Sequence, residues 1–169
     1  MRKVFSSHSE VAKVWAQRSQ SEGRATNVFF EGDTIYSWGR HFAMARWFKH
    51  EQTGEPAVLV TTDSYSVSTS KHQGIVHRAI PSYARKVYVP TANATVEGNL
   101  AQFKRQIDDQ LELYPRKRLE STRSRVANRL FSLLTDAHTY CDAVGAEKPD
   151  WLLPPELSVP AIIMAYNLR

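Results

Sequence analysis

At 169 residues and 19.3 kDa, with 42% hydrophobic residues, the chain is long enough for one cored domain and short for two. A net charge of +5 and a pI near 9.4 tilt its partners towards polyanions, short of the basicity of ribosomal or histone-type proteins. The single Cys141 excludes an intramolecular disulfide and a cysteine-based zinc site, and no apolar run approaches the roughly 20 residues of a membrane span. The N-terminus, Met1-Arg2-Lys3-Val4-Phe5, turns polar at Ser6 and lacks the apolar region of a signal peptide. The expectation is a soluble, intracellular protein with no membrane partner.

Ser7-His8-Ser9-Glu10 has the form of a capping box, so a first helix begins there, with Val11, Val14 and Trp15 on one face, Arg18 a turn later, and Gly23 as its stop. Asn27–Ser70 holds most of the strand signals. Asn27-Val28-Phe29-Phe30 and Thr34-Ile35-Tyr36-Ser37-Trp38 read as a hairpin about Glu31-Gly32-Asp33, whose glycine can supply a positive φ. After Gly39-Arg40, His41–Phe48 reads as a third strand or a short helix. Ala57–Thr62 is a buried-looking strand, and Tyr65–Thr69 a fifth. Five strands joined by short turns give an antiparallel meander, with one face covered by helices. Ser70-Lys71-His72-Gln73 has a second capping-box form ahead of Ile75, Val76, Ala79 and Ile80, closed by Pro81. Lys86–Val89 is a last strand or an extended connection.

From about Thr95 the pattern becomes helical: Val96, Leu100, Phe103, Ile107 and Leu111 share one side, and after Pro115 so do Leu119, Val126, Leu130, Leu133, Ala137, Tyr140 and Val144, up to Gly145. Pro115 breaks or kinks this stretch, and an antiparallel helical pair is the favoured outcome. The proline-rich 148–155 lies across the core, and Ser158-Val159-Pro160 opens a terminal helix or precedes an edge strand. The fold class is α+β: residues 1–90 form the antiparallel sheet with flanking helices, and 91–169 a helical extension packing on the same core.

Few residues carry a complete chemical signature. Thr61–His72 gathers hydroxyls, Asp63 and His72, from which a small hydrolase or transferase could be built, but no Gly-x-Ser-x-Gly elbow frames it. A solvent-facing Ser/Thr strand entering a helix cap accounts for the same residues. His41, His72 and His77 lack the spacing of a helical metal pair, and Gly32, Gly54 and Gly98 are isolated, so neither a metal nor a nucleotide cofactor is expected. Asp108 and Asp109 point about 100° apart on a helix and form no carboxylate dyad.

Arg116, Lys117, Arg118, Arg123, Arg125 and Arg129 are the strongest partner signal. Arg118, Arg125 and Arg129 form one stripe, with Thr122 between them, that can track phosphates or serve as a solvated flank paired to Glu120. Trp38 and Tyr36, with Trp47 and Tyr65, could stack bases on the sheet's open face, or be core; no RNP motif is present.

Phe29-Phe30-Glu31-Gly32-Asp33-Thr34-Ile35-Tyr36-Ser37-Trp38-Gly39-Arg40-His41-Phe42, Val58–Thr62 and Tyr65–His72 together resemble a family of small uncharacterised proteins of bacteriophages, prophages and plasmids. The resemblance covers roughly the first half and carries no activity or catalytic residue with it. It implies a mobile-element protein in the cytoplasm of a bacterial host, where small accessory proteins bind nucleic acid or disable host defences. The leading expectation is therefore a non-enzymatic accessory protein that binds nucleic acid or a host nucleoprotein complex, with inhibition of bacterial immunity as one role that fits. The alternatives are the hydrolase or transferase above, and a structural protein that assembles, for example as a homodimer, through the 96–144 helices.

Overall fold

A computed structural model describes residues 2–116 and 118–167. Among them five α-helices and a six-stranded, mostly antiparallel sheet make an α+β fold. The chain divides into two units, Met1–Thr95 and Val96–Arg169, a boundary just beyond the expected position 90.

In the first unit α1 (His8–Ala16) starts where Ser7 Oγ accepts from the Glu10 amide at 3.2 Å. The Glu10 side chain bonds Ser6 more strongly than Ser7, the residue expected to close the box. The Glu10 carboxylate accepts from the Ser6 hydroxyl at 2.8 Å and the Ser6 amide at 3.0 Å, and these bonds, with Arg2, hold it below the usual carboxylate range. The helix ends at Ala16, and Gly23 is not its stop but the middle of β1 (Glu22–Arg24), an unforeseen strand. Glycine is needed there because a Cβ would lie 2.6 Å from the Phe30 ring and 2.8 Å from that of Phe5.

The meander continues through β2 (Val28–Glu31), β3 (Thr34–Ser37), β4 (Ala43–Lys49) and β5 (Pro56–Thr61), spatially adjacent in chain order. Gly32 takes φ 54° in the first hairpin, as its sequence suggested. His41–Phe48 is thus extended and not helical. Phe30, Ile35, Ala45 and Val60 stand opposite one another across four strands, as do Trp47 and Val58, and this face forms the core with Val11, Trp15 and Val76 of the helices. Each large apolar side chain buried here contributes about 1.5–3 kcal/mol against exposure.

Tyr65–Thr69 is not a fifth strand. Ser66 accepts from the Thr69 amide at 3.2 Å and caps α2 (Val67–Ala79), which begins a turn earlier than the Ser70 capping box implied. Short hydroxyl side chains that bond their own backbone favour such a cap over a strand. From α2 the chain crosses to β6 (Arg85–Val89), which pairs in parallel with β5 from Ala57–Arg85 to Thr61–Val89. A parallel partner requires such a crossover, here a helix.

In the second unit α3 (Val96–Leu113) and α4 (Glu120–Val144) are separated by a 3-10 turn at Tyr114–Arg116, so Pro115 breaks the helix. The two run antiparallel: Asn99 donates to Tyr140 Oη at 3.4 Å near one end, and Arg129 to Gln106 at 3.2 Å further along. Phe103, Ile107, Val126, Leu130, Leu133, Leu134, Ala137 and Tyr140 are buried, as is Cys141, whose thiol burial pushes above its usual pKa. Gly145 ends α4 at φ 66°. Leu152 and Leu153 of the proline-rich segment are buried; His138 Nε2 lies 3.0 Å from the Leu153 carbonyl, and Tyr166 on α5 (Val159–Asn167) donates to that of Trp151 at 3.0 Å. No helix among the described residues is long and apolar enough to cross a membrane.

Candidate functional site

The most distinctive local geometry lies where β3 gives way to β4. Trp38 follows the last residue of β3 with φ 64°, the left-handed region that costs a bulky residue about 1–3 kcal/mol. The turn is held by its backbone: Trp38 N–H donates to Asn27 at 2.7 Å, Gly39 N–H to Ser37 at 2.8 Å and Phe42 N–H to Gly39 at 3.1 Å. A Cβ at Gly39 would lie 2.7 Å from Nδ1 of the exposed His41 ring, which would have to turn aside. Held this way, the Trp38 side chain is 58% exposed.

Beside it opens a cleft of about 300 Å³, lined by Ser37, Trp38, His41, Phe42, Tyr65 and Thr69. Phe42 is buried and meets the 74% exposed Tyr65 edge to face, with ring centres 5.1 Å apart. Two stretches of sequence therefore meet here, the β3–β4 turn and the approach to α2.

Next to the cleft Ser37 Oγ and His72 Nδ1 are 2.7 Å apart and both buried, tying β3 to α2. The His8 ring stands edge-on to His72 at 4.5 Å, and Trp38 lies 6.4 Å away. Burial first, and His8 second, lower the His72 pKa, which favours a neutral ring. As a nucleophile–base pair this falls short in two respects: Ser37 is fully buried, and the histidine's neighbour is another imidazole where an orienting carboxylate would be needed. Several other hydroxyls of the 61–72 cluster are committed to the fold. Thr61 donates to Ala43 at 2.6 Å and accepts from Ala92 at 2.8 Å, Thr62 donates to Val89 at 3.1 Å, and Ser64 and Ser70 bond each other at 2.6 Å. Among the described residues no group of three or more His, Cys, Asp or Glu is placed to hold a metal ion.

Charge is unevenly divided between the units. Met1–Thr95 carries twelve Lys and Arg against seven Asp and Glu, and Val96–Arg169 ten against ten, so the whole net charge of +5 belongs to the first unit. Within it no acidic residue occurs from Ser64 to Val96, which spans α2 and β6. Lys71 and Arg78 are exposed on α2, two turns apart, with Gly74 between them; Arg85 is exposed on β6. His77 stacks on Tyr88, its Nε2 2.9 Å from the tyrosine oxygen, while Lys86 donates to the His77 carbonyl at 3.2 Å. Burial, then Lys86 and Arg78, depress the His77 pKa. Tyr83 is 72% exposed in the turn between the two elements.

Of the basic residues singled out in the sequence, Arg116 lies on the 3-10 turn and Arg123, Arg125 and Arg129 on α4, while Arg118 precedes the helix, so the expected stripe does not begin on it; Lys117 is outside the described residues. Arg118, Arg125 and Arg129 are exposed, the last bonded to Gln106. Arg116 pairs with Glu112 at 3.7 Å in the open, and Arg123 lies over the Tyr114 ring at 6.0 Å. The aromatic platform is not assembled on a sheet face. Trp47 is core, 5.9 Å from Trp15, because its strand position faces the helices; Tyr36 is half-buried and stacked on Phe29 at 5.0 Å. Trp38 and Tyr65 instead share the cleft. Comparison with family models, with curated proteins and with solved structures finds no match.

Proposed function

We propose that the protein is a non-enzymatic accessory protein of a phage or other mobile element that binds nucleic acid, free or within a host nucleoprotein complex. The observation that carries this reading is the acid-free span from Ser64 to Val96, folded into α2 and β6, with Lys71, Arg78 and Arg85 exposed and Tyr83 and Tyr88 among them. A span with three exposed cations and no carboxylate of its own attracts a phosphate backbone, and the release of counterions makes affinity fall with salt. Arg125 and Arg129 on α4, with Arg118 just ahead of it, offer a second phosphate contact, in a unit without net charge. The test is a salt titration of binding to single-stranded and duplex probes. Affinity should fall steeply with salt, and the slope should shrink by about one for each phosphate-contacting residue removed. Affinity that ignores salt would overturn the reading.

A second reading rests on Leu119, which caps α4, and Phe131 on it, both exposed despite being large and apolar. They favour self-association through the helices of the second unit. Light scattering across a concentration series distinguishes it: a monomer at every concentration removes it.

A further inference from the structure

The cleft beside Trp38 is separate from the charged surface, and its chemistry differs. Its lining offers the indole of Trp38, the phenyl of Phe42 and the phenol ring of Tyr65, with the exposed His41 imidazole as a hydrogen-bonding group, while the buried Ser37 and Thr69 hydroxyls bond His72 and Ser66. No charged carboxylate, lysine or arginine is among these residues, so the site fits a ligand that is flat, unsaturated and polar at its edges. A volume of about 300 Å³ accommodates one such ring system and little more. Trp38 adds a second observation. A large residue is held in the left-handed region at φ 64°, with its side chain 58% exposed, where glycine would be unstrained. Such strain persists when the position serves something other than stability, here the presentation of an aromatic face at the mouth of the cleft.

We propose that this cleft receives a single nucleobase, unstacked from its neighbours, against Trp38 and Tyr65. The proposal rests on the nucleic-acid reading above and extends it from phosphate attraction to base capture. Bases stack on aromatic side chains whatever their sequence, and polar groups in a confined slot select among their edges. Duplex DNA keeps its bases stacked and hidden, so the ligand is a single strand or a free nucleotide.

The test uses the full chain and three probes: a short single-stranded oligonucleotide, an abasic oligonucleotide of equal length, and AMP, CMP, GMP and UMP as mononucleotides. Trp38 is exposed whereas Trp15 and Trp47 are buried, so quenching of tryptophan fluorescence lost in Trp38→Phe reports on the cleft. The base-bearing strand should bind more tightly than the abasic one, with quenching, and Trp38→Ala or Tyr65→Ala should weaken that binding by roughly five- to a hundredfold. Circular dichroism and the melting temperature show whether each variant is folded; Tyr65→Ala, at a side chain 74% exposed, serves if Trp38→Ala is not. Tight mononucleotide binding with quenching identifies a free nucleotide as the ligand, and binding only of the oligonucleotide identifies a strand; both support base capture. Equal, salt-dependent affinity for abasic and base-bearing strands, unchanged in both variants, overturns the cleft and leaves the phosphate reading standing. Absence of salt-dependent binding to any strand overturns that reading instead, and quenching by mononucleotides then still judges the cleft.

Discussion

The two units use arginine and lysine in different ways. In Val96–Arg169 the basic residues are conspicuous in sequence, crowded between Arg116 and Arg129, but offset by as many acids. In Met1–Thr95 they are spread thinly, yet from Ser64 onward nothing opposes them, and the fold brings that span together as a helix and a neighbouring strand. The difference shows that a run of like charges need not leave a unit with net charge, whereas a gap in the opposite charge does. A long-range field depends on the sum, and local neutralisation removes it beyond about a Debye length.

The largest expected effect tests that contrast directly. Lys71→Ala/Arg78→Ala/Arg85→Ala should lower affinity for a single strand by roughly ten- to a hundredfold at moderate salt, and Arg118→Ala/Arg125→Ala/Arg129→Ala by only a few-fold, as measured by fluorescence anisotropy. The reverse order would move the binding surface to α4.

Next in size, Ser37→Ala leaves the buried His72 Nδ1 without its partner and should cost about 1–3 kcal/mol in denaturant unfolding. A variant of unchanged stability would mean that the pair is not a structural tie, and would reopen the reading of Ser37 and His72 as a nucleophile and base.

Trp38→Gly sharpens the contrast between stability and binding. Relief of the left-handed strain should raise stability by about 1 kcal/mol, while base-dependent affinity falls. Stability and affinity falling together would indicate that Trp38 packs for structure.

The smallest effect is of pH, and its sign differs between the units. The folded pKa values of His72 and His77 lie below the ordinary 6.5, so their contribution is complete above that value and is lost as the pH falls through the lower folded values. In the second unit burial raises the Asp136 carboxyl above 3.8, a contribution present below that value and lost as the pH rises through the folded one. Hydrogen exchange, corrected for intrinsic rates, should show the first unit loosening between neutral pH and pH 5 while the second does not. His72→Gln should flatten part of that response.

Most of the secondary structure was legible because its signals are local. The Gly32 hairpin, the break at Pro115, the Ser7 cap and the Gly145 terminator each rest on residues within a turn of one another. The errors arose where two local signals competed. Tyr65–Thr69 alternates as a strand does, but Ser66 can cap a helix, and the crossover to β6 decided for the helix. Gly23 follows a helix at a plausible distance, but was chosen by the rings of Phe5 and Phe30. Of the candidate site, Trp38, Tyr65, His41 and His72 were visible as residue types. Their assembly was not, since Ser37 and His72 are separated by β4, β5 and the loop before α2.

By itself the sequence determined the α+β class, the meander, the helical second half and the acid-free span, because periodicity, turn chemistry and charge are properties of neighbouring residues. Only the tertiary structure decided that Trp47 enters the core while Trp38 faces outward in a left-handed turn, and that Tyr65 joins it across a cleft. Which face of a strand an aromatic occupies, and what stands opposite it, is set by register between segments distant in the chain, and a one-residue shift reverses it.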